Sequence, residues 1–136
     1  MRFMLDTNIC IYAIKHRPPS VLAALRRHEA EGLGVSIVTV AELECGVAKS
    51  GSVRNVQALK QFLEPLEVAD FDRAAASAHG TLCAQLEASG MPIGPLDTQI
   101  AAHALALGVT LVSNNLREFQ RVPGLRLVNW VDEGAG

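Results

Sequence analysis

The sequence predicts an α/β sandwich on a mainly parallel sheet, and two observations carry that prediction. Short apolar runs recur along the chain, separated by longer stretches whose apolar residues fall at helical spacing. The composition fits the same architecture, because 49% of the 136 residues are hydrophobic while only 4% are aromatic. A core of Leu, Val, Ile and Ala suits helices lying closely on parallel strands. This length fits one domain with a real core, which we assign to residues 1–136.

The first run, Phe3-Met4-Leu5, stops at Asp6-Thr7-Asn8, and Ile9-Cys10-Ile11-Tyr12 resumes the apolar character in a helix. Asp6, Thr7 or Asn8 can cap that helix, which runs to about Lys15 and is broken by Arg17-Pro18-Pro19. Ser20 to Leu25 opens a second helix, ended by Gly32 and Gly34. Val35-Ser36-Ile37-Val38 reads as the second strand. Thr39-Val40-Ala41-Glu42 begins the next helix, which continues through Val47, with Gly46 weakening its middle or marking its end. After a turn at Lys49–Ser52, a helix from Val53 to Leu63 aligns Val56, Leu59 and Leu63, and Pro65 stops it.

Leu66-Glu67-Val68 is a third strand, and Asp70 or Asp72 caps an Ala-rich helix carrying Ala75, Ala78, Leu82 and Leu86 on one face. The loop Ser89–Pro95 hands over to a helix that opens at Leu96-Asp97 and closes at Gly108. Val109–Val112 is a strand running into Ser113-Asn114-Asn115. A weak turn or helix at Arg117–Phe119 and a late strand at Leu125–Val128 follow, and Glu133–Gly136 reads as a frayed end.

Twelve basic residues against fourteen acidic ones give a net charge of −2, without the basic surplus usual in nucleic-acid binders. An RNA substrate would therefore need a local basic patch, a bound cation or a partner. Cys10, Cys45 and Cys83 are odd in number and far apart, so they read as small buried hydrophobes in a reducing compartment. His16, His28, His79 and His103 lack a zinc-hydrolase pattern, and structural or surface roles are expected for all of them. Asp6 interrupts the first apolar run before a signal peptide could form, and no stretch reaches membrane-spanning length. A cytoplasmic protein without membrane contact is expected.

Parallel strands send their carboxyl ends to one edge, where open α/β sheets hold ligands. Asp6 follows the first strand, Glu42 lies just after the second, Ser113 to Asn115 follow the fourth, and Asp97 opens a helix behind a loop. Acids without a Cys or His set beside them suit a hard cation, Mg²⁺ or Mn²⁺. Each also has a plainer use. Asp6 fits a helix cap, Thr39-x-x-Glu42 fits a capping box, Asp97 suits the positive end of its helix, and Ser113-Asn114-Asn115 fits an Asx-type turn. The conjunction favours a shared site, since all three acids fall at helix starts on one sheet edge.

The blocks Met4-Leu5-Asp6-Thr7-Asn8, Ser36 to Leu43, Gly94 to Ala104, and Leu111 to Asn115 before Phe119 occur in the order of a known family. From Phe3 to about Trp130 the chain resembles the VapC-type toxins of bacterial toxin–antitoxin pairs, within the PIN-domain ribonucleases. The resemblance implies a PIN-like three-layer α/β/α sandwich with four to five short strands. It implies Mg²⁺-dependent hydrolysis of RNA by water, leaving a 5′-phosphate and a 3′-hydroxyl, with tRNA cut in the anticodon region. Asp6 and Asp97 become the metal ligands and Glu42 the third catalytic acid, with Thr7, Asn8, Ser113 and Asn115 in support. Asn115 best matches the family's fourth acid, where an amide replaces a charge and puts a second metal in doubt. A cognate VapB-type antitoxin covering the groove and a homodimer are also implied. Arg26, Arg27, Lys49, Arg54, Arg117 and Arg121 are available for RNA. A haloacid-dehalogenase-like phosphatase is the alternative enzyme, although it needs an acid where Asn8 stands. A catalytically silent PIN-like binding module is the other alternative.

Overall fold

β1 (Phe3–Leu5) is buried along its whole length, and the elements that follow are laid down on both sides of it. The computed structural model describes residues 1–131, so the expected frayed end at Glu133–Gly136 lies outside the described residues. After β1 come α1 (Thr7–Lys15), α2 (Pro19–His28), a 3-10 turn at Glu29–Glu31 and β2 (Leu33–Ser36). Next are α3 (Ile37–Ser50), α4 (Val53–Leu63), β3 (Glu67–Ala69), α5 (Arg73–Ala88) and α6 (Pro95–Leu107). β4 (Thr110–Val112), α7 (Leu116–Phe119) and β5 (Leu127–Val128) complete the order.

The five strands form one sheet in the order β3-β2-β1-β4-β5, and every pairing is parallel. Side chains alternate across a strand. Phe3 and Leu5 therefore enter one core with Ile9, Val21, Val35, Leu59 and Val112, while Met4 enters another with Leu82, Ile100, Leu111 and Phe119. One apolar core on each face gives the expected three layers.

The chain builds from β1 out to β2 and β3, then crosses back to lay β4 and β5 on the other side. That reversal opens a crevice at the carboxyl ends of β1 and β4, the switch point at which such sheets bind ligands. Leu5 pairs with Val112, and the Asp6 N–H donates to the Val112 carbonyl at 3.1 Å, so both strands end level.

Three local expectations are corrected. The strand expected at Val35–Val38 ends at Ser36, whose hydroxyl accepts from the Val38 N–H at 3.1 Å and caps α3. That cap draws the β-branched residues Ile37 to Val40 into a helix, against their weak intrinsic preference. The stripe expected on α4 is broken, because Leu59 is buried while Val56 is 51% exposed. Cys45 is exposed and Cys83 half-buried, so only Cys10 is the buried hydrophobe expected. Among the described residues, no helix is long and apolar enough to cross a membrane.

Candidate active site

Asp6 closes β1 at the crevice and is 5% exposed. Its Oδ1 accepts from the Ile9 N–H at 2.9 Å, which makes it the cap of α1. Capping occupies one oxygen, and Asp6 also hydrogen-bonds the side chain of buried Ser113 at the end of β4. Burial pushes its carboxyl above the ordinary value. The bonds from Ser113 and Ile9 pull it back, and repulsion from Glu42 adds to the rise.

Glu42 reaches the same crevice from α3. The capping box with Thr39 does not form, since Ser36 is the cap and Thr39 lies inside the helix with its hydroxyl buried and unpartnered. Glu42 Oε1 instead accepts from the Thr7 hydroxyl at 2.8 Å, across 35 residues of sequence. The plainer use of Glu42 is thereby removed. Asn8 is exposed on the first turn of α1, outside this network.

Asp97 lies in the first turn of α6, behind the Gly94 cap and Pro95. Its partner is an acid that the sequence did not single out, Glu118 on α7. Burial first, then hydrogen-bonding contact with Glu118, then repulsion from Glu118, Asp6 and Glu42 push Asp97 up to about 7. Two carboxyl groups can bond to each other only by sharing a proton. Asn115, expected at the place of the fourth acid, bonds to Glu118 and to Ser113. Its Nδ2 donates to Glu118 Oε2 at 2.9 Å, and its N–H donates to the Ser113 hydroxyl at 2.9 Å. Asn114 turns away and donates to the Tyr12 hydroxyl at 3.1 Å. The missed signal was Asn115-x-x-Glu118, a spacing that puts both side chains on one side of a helical turn.

Asp6, Glu42, Asp97 and Glu118 thus share one electrostatic neighbourhood, linked through Thr7, Ser113 and Asn115. Among the described residues, no three acids, histidines or cysteines stand already gathered as a complete metal-ligand set. The donors are nonetheless all hard oxygens, and the approach of Glu118 to Asp97 makes a place suited to a cation. Beside the acids, a groove of about 310 Å³ runs between α1, α3 and α4. Thr7 and Glu42 stand at its border with the acids, Ile11, Ile14, Leu43, Val47 and Leu59 line it, and Lys15 and Asn55 add polar groups.

Fold and site together define an α/β protein whose working edge is a cluster of carboxylates at the switch point of a parallel sheet. Comparison with known proteins places it further. A model of the PIN domain matches residues 3–125. The chain is 43% identical to the tRNA(fMet)-specific endonuclease VapC of Shigella flexneri, covering 96% of this chain and 98% of that protein. It is 45% identical to ribonuclease VapC2 of Haemophilus influenzae, covering 96% and 99%. The structure of VapBC2 from Rickettsia felis bound to a promoter DNA fragment superposes with a TM-score of 0.88 at 41% identity, over 96% of this chain and 99% of that one. The chain belongs to the PIN-domain family, among its VapC-type ribonuclease toxins. The haloacid-dehalogenase-like alternative falls with that assignment.

Proposed function

We propose that the protein is a Mg²⁺-dependent endoribonuclease toxin of the cytoplasm that hydrolyses tRNA in the anticodon region and is neutralised by a cognate VapB-type antitoxin. The observation that carries the reading is Asp97, a half-buried carboxyl pushed up to about 7 among Glu118, Glu42 and Asp6. Burial comes first among the causes and repulsion from the neighbouring acids adds to it, so a cation there would relieve both. Hard oxygen donors without Cys or His suit Mg²⁺, with Mn²⁺ as a substitute. Asp6 and Asp97 would hold the ion, with Glu118 beside Asp97 in the place expected for the fourth acid.

A cation bound there would supply Lewis-acid stabilisation of the phosphoryl oxygens and a more acidic attacking water. The chain's own groups do the rest. Glu42, held by Thr7 at 2.8 Å, would take the proton of the attacking water. Ser113 and the Ile9 N–H fix Asp6, and Asn115 orients Glu118. Attack by water leaves a 5′-phosphate and a 3′-hydroxyl.

The choice of tRNA rests on the Shigella flexneri relative, which is named for tRNA(fMet). The antitoxin rests on the Rickettsia felis complex and on the groove, whose apolar walls beside Glu42 suit a covering segment of a partner. Exposed Ile37 and Leu96, which line one open apolar patch with Val38 and Ala41, support a homodimer. The test is cleavage of a tRNA by the purified chain in Mg²⁺ and in EDTA, with end analysis of the products. Cleavage undiminished in EDTA overturns the cation. No cleavage in Mg²⁺ or Mn²⁺ makes the protein the catalytically silent module instead.

A further inference from the structure

Behind the acids lies a polar contact that the reaction itself does not use. His103 on α6 is 1% exposed, and its Nδ1 lies 2.8 Å from the hydroxyl of Ser36, itself fully buried. Ser36 ends β2 and caps α3 through the Val38 N–H. The Phe71 ring stands edge-on to the imidazole at 5.2 Å. His103 Nε2 has no partner at hydrogen-bond distance. Burial holds the imidazole's pKa below its ordinary value, against smaller opposing effects from Asp70 and Asp72.

The placement of this pair bears on the site. Glu42 lies six residues beyond Ser36 on α3, and Asp97 six residues before His103 on α6. At 1.5 Å per residue, each acid stands about 9 Å along its helix from the contact. The hydroxyl that starts the helix of Glu42 is therefore joined to the helix of Asp97. Hydrogen bonding outside the ligands commonly decides how well ligands are aimed.

We propose that His103, through its buried hydrogen bond to Ser36, is a positioning residue that fixes the Glu42 helix against the Asp97 helix and so sets the affinity of the acidic site for a divalent cation. It touches neither substrate nor cation, and the inference rests on the metal reading given above. His103→Leu keeps apolar volume and removes the bond. His103→Asn keeps a hydrogen-bonding group close to the position of Nδ1. Ser36→Ala removes the same bond from the other side, together with the cap of α3, and guards against a His103 variant that fails to fold.

Titration of the full chain with Mn²⁺ is the primary readout, alongside thermal melts in EDTA and the KM and kcat of RNA cleavage. His103→Leu and Ser36→Ala should each weaken Mn²⁺ binding about tenfold. The double variant should be no worse than Ser36→Ala alone, and His103→Asn should return to within about twofold of wild type. The loss should follow Mn²⁺ occupancy, with KM for RNA unchanged at saturating Mn²⁺. If the variants melt earlier but bind Mn²⁺ like the wild type, His103 is only structural and this inference is overturned while the metal reading stands. If the wild type binds neither Mn²⁺ nor Mg²⁺, the metal reading is overturned and the inference falls with it.

Discussion

Asp6 and Asp97 occupy the same crevice and are held in opposite ways. Asp6 is nearly buried, and a backbone N–H and the Ser113 side chain offset part of the cost of its burial, leaving its carboxyl above the ordinary value. Asp97 is half-buried, and the group that meets it is another carboxyl, Glu118. One acid is met by donors from the fold, the other by a second carboxyl that raises it further. The difference teaches where a cation would act: at Asp97 and Glu118 it displaces a proton, whereas at Asp6 it meets a carboxylate already fixed in place.

The largest expected effect breaks the Asp97 side. Asp97→Asn should lower tRNA cleavage in Mg²⁺ by about a hundredfold or more, the few kcal/mol expected from a lost metal-held charge. The same variant should melt higher than wild type in EDTA, because it removes the repulsion. Asp6→Asn should also abolish cleavage while keeping its helix, since Asn caps about as well as Asp. Cleavage near the wild-type rate in either variant would remove the metal role from that residue.

Glu118→Gln comes next, with an expected loss of about tenfold in Mg²⁺ affinity. It should also move the pH midpoint of Mg²⁺ binding downward, because the main neighbour raising Asp97 becomes neutral. Calorimetric titrations at several pH values would measure both. A Gln variant with unchanged affinity and midpoint would return the fourth position to Asn115.

pH itself sharpens the comparison. Asp97 stands at about 7 in the folded chain against an ordinary 3.8, so the native state holds this proton more tightly than the unfolded chain. Its contribution to stability is then fully present below pH 3.8 and is lost as pH rises through about 7. Solvent screening at this half-exposed site reduces the size of that loss. Mg²⁺ competes with the same proton, so its affinity should rise over this interval. Urea unfolding in EDTA should give a stability that declines toward pH 7 in the wild type and a flatter profile in Asp97→Asn. Adding Mg²⁺ at about ten times its Kd should restore roughly 1.4 kcal/mol.

The smallest effect tests the third acid. Thr7→Val removes the donor to Glu42 and should cost about 1 kcal/mol of stability and a few-fold in kcat. A kcat that stays level while stability drops would mean that Thr7 only fastens α1 to α3.

The sequence by itself determined the layers and the edge. Short continuous apolar runs and stretches with period 3.6 are local patterns, and together with polar residues at their ends they placed Asp6, Glu42 and Asp97 on one side of a parallel sheet. The tertiary structure decided what each acid meets. Capping by Ser36 rather than Thr39 freed Glu42 for Thr7, and the turn after β4 presented Glu118 rather than Asn115 to Asp97. The contact of His103 with Ser36 joins positions 67 residues apart. Periodicity reports which face a residue lies on. The choice of partner depends on distances set when separate elements pack, which no local pattern encodes.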